Sequence, residues 1–245
     1  MEKEEALKKG IAYFSFLKSI GIEYVEPAQG DTAVLSPVAK QVERQSENPV
    51  AVVDSAETPR TFNLSSLQTE VEACVACGLH KTRNMVVFGT GNPQARIMFV
   101  GEAPGEEEDK QGKPFVGRAG NLLTKMIAAI GFKREEVFIA NVLKCRPPGN
   151  RDPKPDEVAA CEHFLIEQIK AVKPVIICAL GTHAAQTLLK TDESIGNMRG
   201  RLHDYHGVPL IPTYHPSFLL RSPNMKKLAW VDLQMLRDEQ IKRMK

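Results

Sequence analysis

Four cysteines stand at positions that could hold a metal. Cys74 and Cys77 form a C-x-x-C pair, and Cys145 and Cys161 follow sixteen residues apart. Four thiolates can enclose zinc or an iron–sulfur cluster, and ligand type does not choose between them. The plainer alternative is a zinc-binding pair plus two core cysteines, because a free cysteine packs as a small hydrophobe. Cys178, inside Val-Ile-Ile-Cys-Ala-Leu, reads as core. A second set of residues follows short apolar runs: Glu102 and Glu108 after Gly101, Asn141 after Val137–Ala140, His183 after Gly181-Thr182, and His215 before Pro216-Ser217. Such groups can position water, read a donor–acceptor pattern, or stabilise a developing anion.

The elements that must position them alternate in type. Strand-like runs at Arg96–Gly101, Val137–Val142, Val175–Leu180 and Val208–Thr213 are separated by helical patterns at Ala119–Ile130, Pro155–Ala171, Thr182–Leu189 and Asn224–Met244. Alternation of this kind predicts an α/β fold, a three-layer α/β/α sandwich around a central, mostly parallel, four-stranded sheet. Ligands of such sheets bind beyond the carboxyl ends of the strands, which is where the four polar loops begin.

Ahead of this domain the character of the chain changes. Residues 3–20 predict a short amphipathic helix carrying Ile11, Phe14, Leu17 and Ile20, and residues 27–63 have linker composition. The expected division is an extension over 1–63 and a catalytic domain over 64–245. An idle extension is the expectation for the first segment, and contact with a replication or repair protein through residues 1–20 is the alternative.

At 245 residues and 42% hydrophobic content, the chain can bury one substantial core. No apolar stretch is long enough to span a bilayer, and the acidic start Met-Glu-Lys-Glu-Glu lacks the basic region of a secretory signal. A cytoplasmic, monomeric protein is expected. Five cysteines in that compartment argue for ligands or core packing over disulfides. Residues 1–63 carry 7 Lys and Arg against 10 Asp and Glu, and the remainder carries 25 against 20. The mild basic excess of the second part suits a nucleic-acid partner and equally an ordinary solvated surface.

Longer motifs decide among these readings. Gly101-Glu102-Ala103-Pro104-Gly105-Glu106, Gly112-Lys113-Pro114-Phe115-Val116-Gly117, Asn141-Val142-Leu143-Lys144-Cys145-Arg146-Pro147-Pro148 and His215-Pro216-Ser217 together resemble the iron–sulfur uracil-DNA glycosylases called family four. The resemblance covers about residues 70–243, including all four cysteines at the family's spacing. It implies a [4Fe-4S] cluster on Cys74, Cys77, Cys145 and Cys161, structural in role, and an enzyme that starts base excision repair on uracil-containing DNA.

The implied chemistry is base flipping, because a base inside a duplex is out of reach of side chains. Phe115 would stack the extruded uracil, in a pocket whose motif residues include Gly101, Ala103 and Gly105. The Asn141 carboxamide would accept from N3–H and donate to O4, a pattern that cytosine reverses. His215 would donate to O2 as negative charge builds on the leaving base. Other uracil glycosylases resemble Gly-Gln-Asp-Pro-Tyr at the first motif, where this chain has Ala103 and Gly105. Water positioning is therefore assigned first to Glu102 and second to Glu108, and thymine exclusion to Glu108 or its loop. The acid run Glu106–Asp109 otherwise predicts a solvated loop. Ser217, Leu220 and Arg221 are the expected DNA contacts, with an apolar wedge flanked by a phosphate-binding arginine; the first turn of the terminal helix is the structural alternative for Leu219 and Leu220.

Other classes fit less well. A non-catalytic or covalent uracil-DNA binder related to this family carries an inserted Lys-Arg-Arg-Ile-His loop, which does not follow Gly117 here. An iron–sulfur electron carrier leaves the Asn141 and His215 loops without purpose. A nucleotide hydrolase lacks its Gly-Lys-Ser or Gly-Lys-Thr phosphate loop.

Overall fold

Continuous apolar runs bounded by polar loops become buried parallel strands, since a strand covered on both faces needs no polar alternation. The computed structural model describes residues 63–243. The expected extension up to Arg60-Thr61-Phe62, with its amphipathic segment at residues 3–20, lies outside the described residues, as do Met244 and Lys245.

Strands β1 (Thr90–Gly91), β2 (Ile97–Gly101), β3 (Phe138–Asn141), β4 (Ile176–Leu180), β5 (His203–Tyr205) and β6 (Val208–Thr213) form one sheet in the order β1-β3-β2-β4-β6-β5. The four predicted strands are its centre, parallel throughout, with β2 between β3 and β4 and β6 beyond β4. The expected count of four strands is corrected to six among the described residues. Both additions are short antiparallel edges, β1 against β3 and β5 against β6. Two or three residues, only partly apolar, leave no periodicity to read, and only the partner strand makes them strands.

Helices α1 (Leu64–Glu72), α2 (Glu106–Gln111), α3 (Arg118–Ala129), α4 (Pro155–Val172), α5 (Thr182–Leu189), α6 (Ile195–Met198), α7 (Pro216–Arg221) and α8 (Lys226–Lys242) complete the fold. One sheet face, with Met98, Val100, Ala140, Ile177 and Leu210, packs on α1, α4 and α5. The other, with Phe99, Ile139, Cys178 and Ile211, packs on α3, α7 and α8. The predicted α/β/α layering is present, and Cys178 is core.

Two segments depart from expectation. The acid run is the helix α2, with Gly105 and left-handed Gly112 at its ends. Four acidic residues in its first turn suit the positive end of the helix dipole, and Asp109 is buried, accepting from the Asn84 amide at 2.9 Å. The expected terminal helix from Asn224 begins instead at Lys226, after a 3-10 turn over Pro223–Met225, and the Pro-Ser-Phe-Leu-Leu-Arg segment is the separate helix α7. No helix among the described residues is long and apolar enough to cross a membrane.

Candidate active site

The carboxyl ends of the parallel strands open into a cavity of about 590 Å³. Glu102, Asn141, His183 and His215 all line it, each from the loop that follows or ends a different central strand. The cavity also contains Ala103, Gly105, Glu108, Phe115, Ser217 and Arg221. Residues separated by more than a hundred positions therefore meet because β2, β3, β4 and β6 run in one direction.

Asn141 closes β3. Its side chain is buried, and its Oδ1 has no hydrogen-bond partner among the described residues. An unsatisfied buried acceptor costs about 1–3 kcal/mol, so a donor from a ligand or an ordered water would stabilise it. The main-chain oxygen of Asn141 accepts from the ammonium of Lys144 at 2.7 Å, and that ammonium also donates to Gln168 at 2.6 Å. Gln168 in turn donates to the Phe88 carbonyl at 2.8 Å. Burial pushes the fully enclosed Lys144 down to about 8. Gly101, one strand away, must be glycine: a Cβ there would meet the Asn141 oxygen and come within 2.7 Å of the Phe115 ring.

Phe115 occupies the turn between α2 and α3, its ring largely buried and in contact with the second apolar cluster. Its backbone has φ +53, a left-handed conformation that costs a bulky residue on the order of 1–3 kcal/mol. Gly120 carries no Cβ because one would overlap the Phe115 carbonyl. The Phe115 ring stands 5.6 Å from that of His215, tilted by 35°.

His215 caps α7. Its Nδ1 accepts from the Ser217 backbone N–H at 3.1 Å and lies 2.7 Å from the Ser217 hydroxyl. A nitrogen engaged as an acceptor carries no proton, so the neutral ring bears its hydrogen on Nε2. Burial, reinforced by the charge of Arg221, pushes His215 down to about 4, against a smaller upward pull from Glu108. The imidazole is neutral near pH 7. Gly181, at φ +93, allows the approach, since a Cβ there would come within 2.8 Å of the His215 Cβ.

Glu102 sits half-enclosed at the mouth of β2, its carboxyl held above the usual range by burial, with His183 lowering it and Asp152 raising it. His183 Nε2 lies 3.4 Å from Asp152 Oδ1. The loop bearing Asp152 is fixed by Arg151, whose Nη1 donates to Glu157 at 2.9 Å. Glu108 lines the cavity, but its Oε1 accepts from the amides of Val116 at 2.8 Å and Gly117 at 3.2 Å. Of the expected DNA contacts, Arg221 is exposed and Ser217 and Leu220 are half-buried; the neighbouring Leu219 is fully buried in the core.

The cysteines form a second centre. Cys74, Cys77, Cys145 and Cys161 line one narrow pocket with Val71, Leu79, Leu143 and Phe164, beneath the other face of the sheet. Arg83 donates to Cys145 Sγ at 3.2 Å and to the Cys74 carbonyl at 2.9 Å, and the Lys144 amide donates to Cys161 Sγ at 3.3 Å. Burial raises the Cys145 thiol and pushes Cys161 up to about 11. Among the described residues, no group of three His, Cys, Asp or Glu side chains is placed to hold a single metal ion.

Motif reading does not find Gly181, Gly120, Arg134 or the Arg199–Asp232–Thr213 network at the end of β6. In that network Asp232 is buried, paired with Arg199 at 2.7 Å and accepting from Thr213 at 2.7 Å. The Gly-Thr-His loop signals Gly181, but Arg134 and Asp232 stand among ordinary charged helix residues and carry no signal.

Fold and site together define a doubly wound α/β protein whose cavity brings together an aromatic face, a carboxamide and a neutral imidazole. Comparison with known families agrees: the model of the Uracil DNA glycosylase superfamily matches residues 88–234. The chain is 50% identical over 168 residues to a type-4 uracil-DNA glycosylase of Thermotoga maritima, covering 67% of this chain and 88% of that one. It is 45% identical over 185 residues to a type-4 uracil-DNA glycosylase of Saccharolobus solfataricus, covering 72% and 86%. A type-5 uracil-DNA glycosylase of Pyrobaculum aerophilum is 31% identical over 144 residues, covering 52% and 63%. This chain belongs to the uracil DNA glycosylase superfamily, in its type-4 branch.

Proposed function

We propose that this protein is a uracil-DNA glycosylase that takes deoxyuridine out of the DNA stack and hydrolyses its N-glycosidic bond, the opening step of base excision repair. The observation that carries the reading is the buried Oδ1 of Asn141, without a hydrogen-bond partner among the described residues, on a side chain that lines the cavity together with Phe115. Uracil supplies the missing donor at N3–H, and the amide nitrogen answers O4; cytosine presents an acceptor at N3 and a donor at C4, so both contacts fail.

The extruded base lies against Phe115. Its edge is read by Asn141, and Ala103 and Gly105 line the cavity beside it, while Gly101, which does not line the cavity, packs closely against Asn141 and Phe115. As the bond from C1′ to N1 lengthens, its electron pair moves into the ring and onto O2. The neutral His215, with its proton on Nε2, donates there and stabilises the anion without needing to give the proton up. Glu102 orients the water that attacks C1′ and takes up its proton, which a carboxylate held above the usual range by burial does readily. Glu108 is occupied by two amides and holds the Phe115 turn, which leaves Glu102 the better water-positioning group. Ser217, Leu220 and Arg221 meet the DNA at the rim, Arg221 against phosphate.

We assign Cys74, Cys77, Cys145 and Cys161 to a [4Fe-4S] cluster. Such a cluster takes one thiolate per iron, which spaces its ligands more widely than a single ion does. It supplies cross-linking here, tying the segment after α1 to the end of β3 and to α4. Four thiolates around it leave net negative charge, which Arg83 and Lys144 are placed to offset.

The test is single-turnover cleavage of an end-labelled oligonucleotide bearing one deoxyuridine, beside cytosine and thymine controls, on protein of known iron content. Alkali-labile sites at uracil alone are expected. Protein that binds the oligonucleotide and leaves every base in place would overturn the reading in favour of a binder.

A further inference from the structure

Phe115 presents an aromatic wall from a left-handed backbone position, and the sequence around it contains nothing that favours that conformation locally. Two charged side chains compensate from opposite sides. The Glu108 carboxylate accepts the two amides that follow the ring, those of Val116 and Gly117. The Arg134 guanidinium faces the two carbonyls at and before it: Nη2 donates to Pro114 O at 2.7 Å and to Phe115 O at 3.0 Å, while Nη1 donates to Thr124 Oγ1 at 3.1 Å on α3. Over four consecutive residues, the first two thus turn their carbonyls to a cation and the last two turn their amides to an anion. Glu108 also favours the charge on Arg134, against the burial that opposes it.

We propose that Arg134 is a positioning residue for base stacking, the clamp that holds the Phe115 turn in its left-handed state and so keeps the ring against the cavity. Arg134 sits in the 3-10 turn Arg134–Glu136 before β3 and does not line the cavity, so it acts through Phe115 and not on the substrate. A planar fork is required, because one ammonium cannot reach both main-chain carbonyls and the Thr124 hydroxyl with the same geometry. The proposal rests on the reading of Phe115 as the stacking face.

The experiment is a double-mutant cycle on the full chain, measuring the maximal single-turnover rate on deoxyuridine DNA, the half-saturating protein concentration and its salt dependence. Arg134→Met is expected to lower the maximal rate by about 10- to 100-fold, the scale of releasing one strained backbone position. Arg134→Lys should recover only part of the loss. In a Phe115→Ala background, Arg134→Met should cost less than about 2-fold more, because the clamp then has no ring to hold. The salt slope should be that of the unsubstituted protein. An equal cost of Arg134→Met with and without the Phe115 ring would overturn the proposal, as would an unchanged rate, or a slope reduced by about one, the mark of a lost phosphate contact. If Arg134→Met does not fold, Thr124→Val removes one acceptor of the same fork and enters the cycle in its place. A Phe115→Ala protein that cuts at full rate would overturn the stacking reading itself, without any Arg134 variant being made.

Discussion

One centre of this molecule opens beyond the carboxyl ends of the strands and the other lies under one face of the sheet, and the two are built on opposite terms. Around Asn141 the fold keeps an unsatisfied oxygen, a left-handed phenylalanine and a histidine stripped of its charge. Around the four cysteines it keeps apolar walls and sulfur atoms that already accept N–H donors. On the proposed function, the first arrangement gains its missing partners when a planar base arrives, and the second would hold a resident cluster. Lys144 joins them, its amide on Cys161 and its ammonium on the Asn141 carbonyl. Substitutions on the cavity side should therefore lower rate while sparing stability, and those on the cysteine side should do the reverse.

The sharpest contrast is expected at Glu102. Glu102→Gln should reduce single-turnover excision by about 10²–10⁴-fold, the usual contribution of a positioned base, with the thermal midpoint unchanged or raised. The pH profile identifies the group. Because burial raises this carboxyl, activity should fall as pH drops through its elevated pKa, and Glu102→Gln should flatten that limb.

His215→Ala should cost about 10²–10³ in rate, the effect of removing one donor from a developing anion. The histidine also leaves a mark on stability. Its folded pKa of about 4 lies below the ordinary 6.5, so the unfolded chain binds the extra proton first. Stability should decline as pH falls from about 6.5 to 4 and level off below, a slope that denaturant titrations of His215→Ala should lack.

On the cysteine side, Cys145→Ser should lower the thermal midpoint by about 10 °C, the shift expected for roughly 3 kcal/mol in a domain of this size, together with loss of bound iron and visible absorbance. The rate per folded molecule should change by less than about 3-fold. A folded, stable Cys145→Ser protein with its cutting rate destroyed would erase the division of labour between the two centres. The smallest effect is expected at the rim. Arg221→Ala should weaken DNA binding only a few fold and reduce the slope of log affinity against log salt by about one.

The amino-acid sequence by itself determined the four central strands, the layering and the placing of chemistry at one edge. Runs such as Ile176–Leu180 are apolar at every position, and a segment with no polar side has nowhere to go but the middle of a sheet. The motifs likewise named Glu102, Asn141, His215 and the four cysteines, all of which line one or other pocket. Tertiary structure alone decided the rest. The edge strands exist only because β3 and β6 offer free edges, and α2 exists where a solvated acidic loop was expected because Asp109 is anchored by Asn84. The left-handed turn of Phe115 depends on Arg134, nineteen residues on, and the neutral His215 on a ring packed against Gly181 from another loop. Periodicity reports which faces of a segment are buried, whereas strain, protonation and clearance are properties of groups brought together from distant positions, and no local pattern encodes them.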